Sequence, residues 1–217
     1  MGALSTYLAR TRRLLHDASA RFFADDELTD NINQARAKVC EDSGCLRQML
    51  TGQTFPNNVE VFDPSAIATL VNGQAVGPRI VDVLGVTVYW GNSRIKLVWY
   101  PFTDFDARFR FYQNYRGKPG AFSRYSTSAI YLAPVPDQDY PGDLDTVIRD
   151  IDLVDDTTNE SIPTLFQSPV AYYAAYLAKY NEQSYGESEV YHDQYKVKMA
   201  QALAAWQRRV IPNPYRR

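Results

Sequence analysis

Apolar residues recur at helical spacing at both ends of this 217-residue chain and at strand spacing between them, and that order limits the folds open to it. The first stripe is Leu4, Tyr7, Leu8, Thr11 and Leu15, with Arg10, Arg12 and Arg13 mostly off it, which predicts an amphipathic helix ending near His16 and Asp17. A second helix opens at Asp25, Asp26 and Glu27, where carboxylates can cap free amides and oppose the helix dipole. Its stripe is Leu28, Ile32, Ala35 and Val39, and Gly44 supplies a left-handed stop near Asp42 or Ser43. Late in the chain, Ser168 and Pro169 read as an N-cap and first helical residue. They precede Val170, Tyr173, Ala174, Leu177 and Ala178, with Ala171, Ala175 and the same Ala174 and Ala178 offering a small-residue face, before Gly186. A last helix from about 187 to 210 carries Tyr191, Tyr195, Met199, Ala202 and Trp206 on one side, ahead of Pro212 and Pro214.

The middle is rich in β-branched and aromatic residues cut by Gly, Pro and Asn. Its clearest unit is a hairpin, Val86 to Trp90, a turn at Gly91-Asn92-Ser93, then Arg94 to Trp99 with Ile95, Leu97 and Trp99 alternating against Arg94, Lys96 and Val98. A short helix from about 104 to 113 would put Phe105, Phe109 and Tyr112 on one face. Four stripes divided between the two ends need one another for burial. The expectation is therefore an α+β protein: a discontinuous helical bundle from 1–51 and 165–217, a β-rich lobe inserted at 52–164, and an extended docking tail at 208–217.

Two cysteines and a net charge of −2 argue against a disulfide-stapled secreted module and against coating nucleic acid by bulk charge. No apolar run reaches the length of a membrane span and no signal-peptide core is present, so a cytoplasmic chain without membrane contact is expected. Cys40 and Cys45 have neither the spacing of a redox motif nor further ligands nearby, since His16 and His192 lie in other helices, so they read as structural and no metal or cofactor is expected. Hydrolase elbows, phosphate loops and dinucleotide fingerprints are absent, which points away from an enzyme.

Charge is polarised along the sequence. Asp137, Asp139, Asp143, Asp145, Asp150, Asp152, Asp155 and Asp156 form a stretch relieved only by Arg149, which reads as a solvated face. From Gln194 onward there is no acid, and Lys196, Lys198, Arg208, Arg209, Arg216 and Arg217 are all basic. Such polarity suits contact between copies or docking of a basic tail. The closing "VIPNPYRR" has two prolines that stiffen it, an aromatic anchor in Tyr215 and arginines for carboxylates. Sixteen tyrosines, clustered in stretches such as "AYYAAYLAKY", add contact surface.

Three segments, "TRRLLHD…FFADDELTDNINQARAKVCEDSGCLRQ", "AIYLAPVPDQDYPGDLDTV" and "IDLVDDTTNESIPTLFQSPVAYYAAYLAKYNEQ", resemble the head-to-tail adaptor (connector) proteins of short-tailed bacteriophages. The resemblance spans nearly the whole chain. It implies a structural virion protein of the neck, made in the host cytoplasm, that forms a ring of twelve copies between the portal protein and the tail nozzle or tube. Double-stranded DNA would pass through that ring during genome ejection without specific binding. By position, Trp206, Arg208, Arg209, Pro212, Pro214, Tyr215, Arg216 and Arg217 would face the portal. Asp137, Asp139, Tyr140, Asp143, Asp145, Tyr172 and Tyr176 would face neighbouring subunits or the tail. Two alternatives stand beside this: a tail-completion protein one layer lower, and a virion hydrolase pairing Glu160 with Asp155 or Asp156.

Overall fold

The computed structural model describes residues 3–64, 67, 69–71, 74–76, 79–126 and 128–207. Among the described residues five α-helices, α1 (Ala3–Leu14), α2 (Asp25–Ser43), α3 (Phe102–Arg108), α4 (Thr164–Asn181) and α5 (Tyr185–Gln207), accompany twelve strands, so the class is α+β, with helices before and after a β-rich region in the sequence. The chain divides into a helical unit, residues 1–45 and 150–217, and a β unit, residues 46–149.

In the helical unit α4 packs against α1, α2 and α5. Its Ala171, Ala174, Ala175 and Ala178 are buried and let its neighbours approach closely. The stripe of α2 is completely buried at Leu28, Ile32, Ala35 and Val39, and Gly44 takes φ 57°, ψ 30° while donating its N–H to the Cys40 carbonyl. The start of α2 departs from expectation: Ala24 holds the N-cap position without a side-chain cap, and the three acids lie inside the first turn. There they act on the dipole, Asp26 also accepting the Glu27 N–H at 2.9 Å. Pro169 is not at a helix start either. α4 begins five residues earlier at Thr164 and carries Pro169 inside it, giving up one backbone donor. Complete burial of Phe166 explains why the helix reaches back that far.

The β unit contains β1 (Arg47–Phe55), β2 (Val61–Phe62), β3 (Thr69–Val71), β4 (Gln74–Val76), β5 (Ile80–Trp90) and β6 (Ser93–Lys96). β7 (Val98–Tyr100), β8 (Arg116–Gly117), β9 (Ala121–Ser126), β10 (Ala129–Ala133), β11 (Val135–Pro136) and β12 (Tyr140–Ile148) follow. One sheet runs β1-β12-β5-β6 and the other β2-β10-β9-β7. Leu50, Phe55, Val86, Val88 and Leu144 of the first meet Phe122, Ile130 and Leu132 of the second in one apolar core, so the two sheets form a sandwich. Residues 46–51, expected with the helices, instead belong to this unit, most of them in β1, an edge strand whose alternation is broken by a register shift at Gly52 (φ 71°).

The expected hairpin forms, but it is shorter. Ser93 pairs with Trp90 across Gly91-Asn92, and β6 stops at Lys96. Leu97 drops into the core, and the chain then crosses to the second sheet as β7, parallel to β9, leaving Val98 and Trp99 half exposed. The short helix is also real but broken: α3 stops at Arg108, Phe111 turns left-handed (φ 62°), and a single 3-10 turn follows at Tyr112–Asn114. The expected aromatic face survives the break, with Phe105 5.2 Å from Phe109 and 5.1 Å from Tyr112 between ring centroids.

Candidate assembly surfaces

Two arginines organise the helical unit: Arg12, expected mostly off the α1 stripe, and Arg36, which the sequence did not single out. Arg12 lies on α1 next to the apolar stripe and is buried, donating to Asp17 at 2.9 Å, to the Phe23 carbonyl at 2.9 Å and to Asp25 at 2.6 Å. Asp17 in turn accepts the backbone N–H groups of Arg21, Phe22 and Phe23, so this pair shapes the turn between α1 and α2. Burial pushes the Asp17 carboxyl up, but those backbone donors and Arg12 outweigh it and hold the carboxyl below its ordinary value.

Arg36 does the same for the chain returning from the β unit. It donates to Asp150, to the Ile151 carbonyl at 2.6 Å and to Glu160 at 3.0 Å. One turn away, Asn33 donates to the Leu153 carbonyl and accepts its N–H. Residues 150–163 have no regular structure before α4, so these side chains supply the partners a ladder would otherwise give. Desolvation raises Asp150 despite Arg36; Glu160, also desolvated, is held down by its Arg36 hydrogen bonds and the Ile162 N–H. Two of the segments quoted for the family resemblance, one holding Asn33 and Arg36 and the other running through Ile151 to Glu160, are therefore partners in space.

The acidic stretch is not one solvated face. Asp143 is buried on β12 under the Tyr89 hydroxyl (2.6 Å) and Arg94 (3.2 Å), Asp145 pairs with Arg47, and Asp150 is enclosed as described. Tyr140 is buried too, donating to Asp137 at 2.6 Å, and burial with that bond pushes its hydroxyl up to about 12. Tyr140 and Asp143 consequently present no side-chain surface to a partner. The reason is that β12 is a central strand of its sheet. Asp137 and Asp139 are exposed, with Asp139 accepting the Asn57 N–H. Asp155 closes a turn through Thr157 and Thr158, Asp156 accepts the Ser5 N–H, and Glu160 is engaged by Arg36, so each of the carboxylates considered for hydrolysis has a local structural role.

On the bundle, Tyr176 is half-buried and its ring stacks on His192, 4.8 Å away, in a run of rings that includes Tyr173, Tyr180 and Tyr195. Tyr172 lines a groove of about 400 Å³ between α1 and α4 with Arg10, Arg13, Leu14, Gln167 and Ala171. Among the described residues Arg10 and Arg13 form no salt bridge. On α5, Tyr195, Met199 and Ala202 are buried while the opposite face leaves Val190 60 % and Val197 49 % exposed. Trp206 is 40 % exposed and meets Phe166 edge-on at 5.9 Å. Arg208, Arg209, Pro212, Pro214, Tyr215, Arg216 and Arg217 lie outside the described residues.

The described side chains thus comprise paired and buried charges that shape turns, exposed valines on α5 and a groove that carries two arginines. Among the described residues no group of three His, Cys, Asp or Glu is placed to hold a metal, and no helix is long and apolar enough to cross a membrane. The chain belongs to the SU10 adaptor protein family, whose model matches residues 3–216, and is thus a bacteriophage adaptor protein, as the resemblance implied. No curated protein matches it.

Proposed function

We propose that this chain is a structural head-to-tail adaptor that forms a ring between the portal and the tail nozzle or tube and extends the DNA channel. The observation that carries the ring is the outer face of α5. Val190, Val197 and Ala204 recur every seven residues on exposed positions, one position of a heptad, with no partner among the described residues. The occupant of this face is a second copy. Glu189 and Asp193 flank Val190, and the groove on the other side of α4 offers Arg10 and Arg13, one turn apart, beside Leu14 and Tyr172. Unlike surfaces that complement one another on the same molecule make a heterologous contact, and such contacts close into rings when the rotation permits.

The tail at 208–217, with Trp206 at its root, is the portal-docking segment in this reading, and the exposed Asp137 and Asp139 face the tail side or a neighbour. DNA would pass without base-specific contact. The test is assembly on purified portal rings followed by sedimentation. Glu189→Arg with Asp193→Arg should prevent ring completion, as should Arg10→Glu with Arg13→Glu, and mixing the two variants should restore mixed rings. Removing residues 208–217 should instead abolish portal binding while the helical signal stays. Full assembly by the reversed-charge proteins would remove this contact; full binding by the truncated protein would remove the docking tail.

A further inference from the structure

The two cysteines are buried nucleophiles that neither the fold nor the adaptor reading employs. Cys40 lies in the last turns of α2, and Cys45 follows the left-handed Gly44, whose N–H bonds the Cys40 carbonyl at 2.9 Å. In this type of helix ending the side chain just after the left-handed residue folds back over the residue whose carbonyl is bonded, ordinarily as an apolar contact. Here both positions are thiols. They are free and buried, and each perturbs the ionisation of the other.

The pair is unequal. Cys40 is pushed up by the neighbouring Cys45 thiol and by burial, whereas Cys45 is held below its ordinary value by Cys40 against its own burial. Cys45 is also the thiol with residual exposure, 8 % against 0 %. Ionisation and access therefore favour the same sulfur.

We propose that Cys40 and Cys45 form a dithiol that closes reversibly to a disulfide, with a small-molecule disulfide such as oxidised glutathione as the oxidant. The Cys45 thiolate attacks one sulfur of the small disulfide, forming a mixed disulfide and releasing one small thiol. Cys40 then loses its proton to solvent and attacks the Cys45 sulfur, closing the internal bond and expelling the second small thiol. Two protein thiols are oxidised by two electrons, and one small disulfide is reduced to two thiols. The ring so closed is short, so its effect is on the helix end itself: the bond fixes the cap where the chain leaves the helical unit after Cys45. A cytosolic chain would hold the pair reduced, and a released particle would meet an oxidising medium.

The experiment treats the folded full-length protein with excess oxidised glutathione at about pH 8, then measures intact mass and maps peptides. The expected product has lost two hydrogens, yields a linked Cys40–Cys45 peptide, keeps its helical circular dichroism and reverts with dithiothreitol. Cys40→Ser should stop as a stable glutathione adduct on Cys45, and Cys45→Ser should react about tenfold or more slowly, because the remaining Cys40 thiol is completely buried. Thiols left unreacted in the folded wild type, a wild-type protein that stops at glutathione adducts, or a bond that forms only in denaturant would each overturn the proposal.

Discussion

The helical unit and the β unit use charge in opposite ways. In the helical unit the Arg36 side chain is 1 % exposed between Asp150 at 2 % and Glu160 at 11 %. In the β unit the pairs sit on strands: Arg47 at 55 % with Asp145 at 22 %, and Arg94 at 52 % over a buried Asp143. The interior between the sheets is apolar. Strands satisfy their own backbone by pairing, so their charges can stay near water. The helices must instead enclose an irregular return segment, whose carbonyls and carboxylates need a buried cation.

Removing that cation should give the largest effect. Arg36→Ala leaves two carboxylates, Asp150 and Glu160, and the Ile151 carbonyl without their shared donor. A loss of about 3–5 kcal/mol is expected, read from urea unfolding by circular dichroism. A cost under about 1 kcal/mol would mean that the return segment is held by its other contacts, the Asn33 bonds to Leu153 and the burial of Leu153 and Ile162, and the contrast between the units would collapse.

The matching change in the β unit should be smaller. A Cβ at Gly142 would overlap the Thr87 carbonyl and the edge of the Phe55 ring. Gly142→Ala should therefore cost roughly 1–3 kcal/mol through displaced core packing, with the helical circular-dichroism signal changed less than by Arg36→Ala. Equal loss of helix from both variants would show that the units unfold as one.

Asp17 distinguishes them by pH. Its carboxyl is lower in the folded state than in the unfolded chain. Its contribution is thus complete above the ordinary carboxylate value near about pH 4 and is lost as pH falls through the folded value. Asp17→Asn should lower the melting temperature most near neutrality, and the gap to wild type should close on acidification. A gap that stays constant down to the acid transition would mean that Asp17 acts by shape and not by charge.

The apolar part of this architecture was legible in the sequence because helical period is written in one stretch of chain: Leu28, Ile32, Ala35 and Val39 announce α2, and Gly44 its end. What was hidden depends on partners far away. Arg36 and Asp150 are 114 residues apart, and although Arg36 falls four residues after Ile32 at the edge of the apolar stripe, nothing local names its partner. Trp99 alternates as an inward residue of a hairpin strand, yet the chain changes sheets at Leu97 and leaves it 52 % exposed. Ser168-Pro169 looks like a helix start because the pull of buried Phe166 on the preceding turn is tertiary. The assembly surfaces were legible only in part. Tyr172 lines an open groove and Tyr176 stacks on His192, while Tyr140 and Asp143 share a central strand, and only the sheet order reveals that.

Arg47 and Asp145 provide the smallest and most discriminating change. Arg47 is more than half exposed on an edge strand and Asp145 keeps 22 % of its side chain in contact with solvent, so water already screens much of their attraction. A double-mutant cycle of Arg47→Gln and Asp145→Asn should return a coupling of about 0–1 kcal/mol, shrinking further in high salt. A coupling as large as that of Arg36 would show that exposure does not set the worth of an ion pair in this protein, and the distinction drawn between its two units would then have to rest on backbone satisfaction alone.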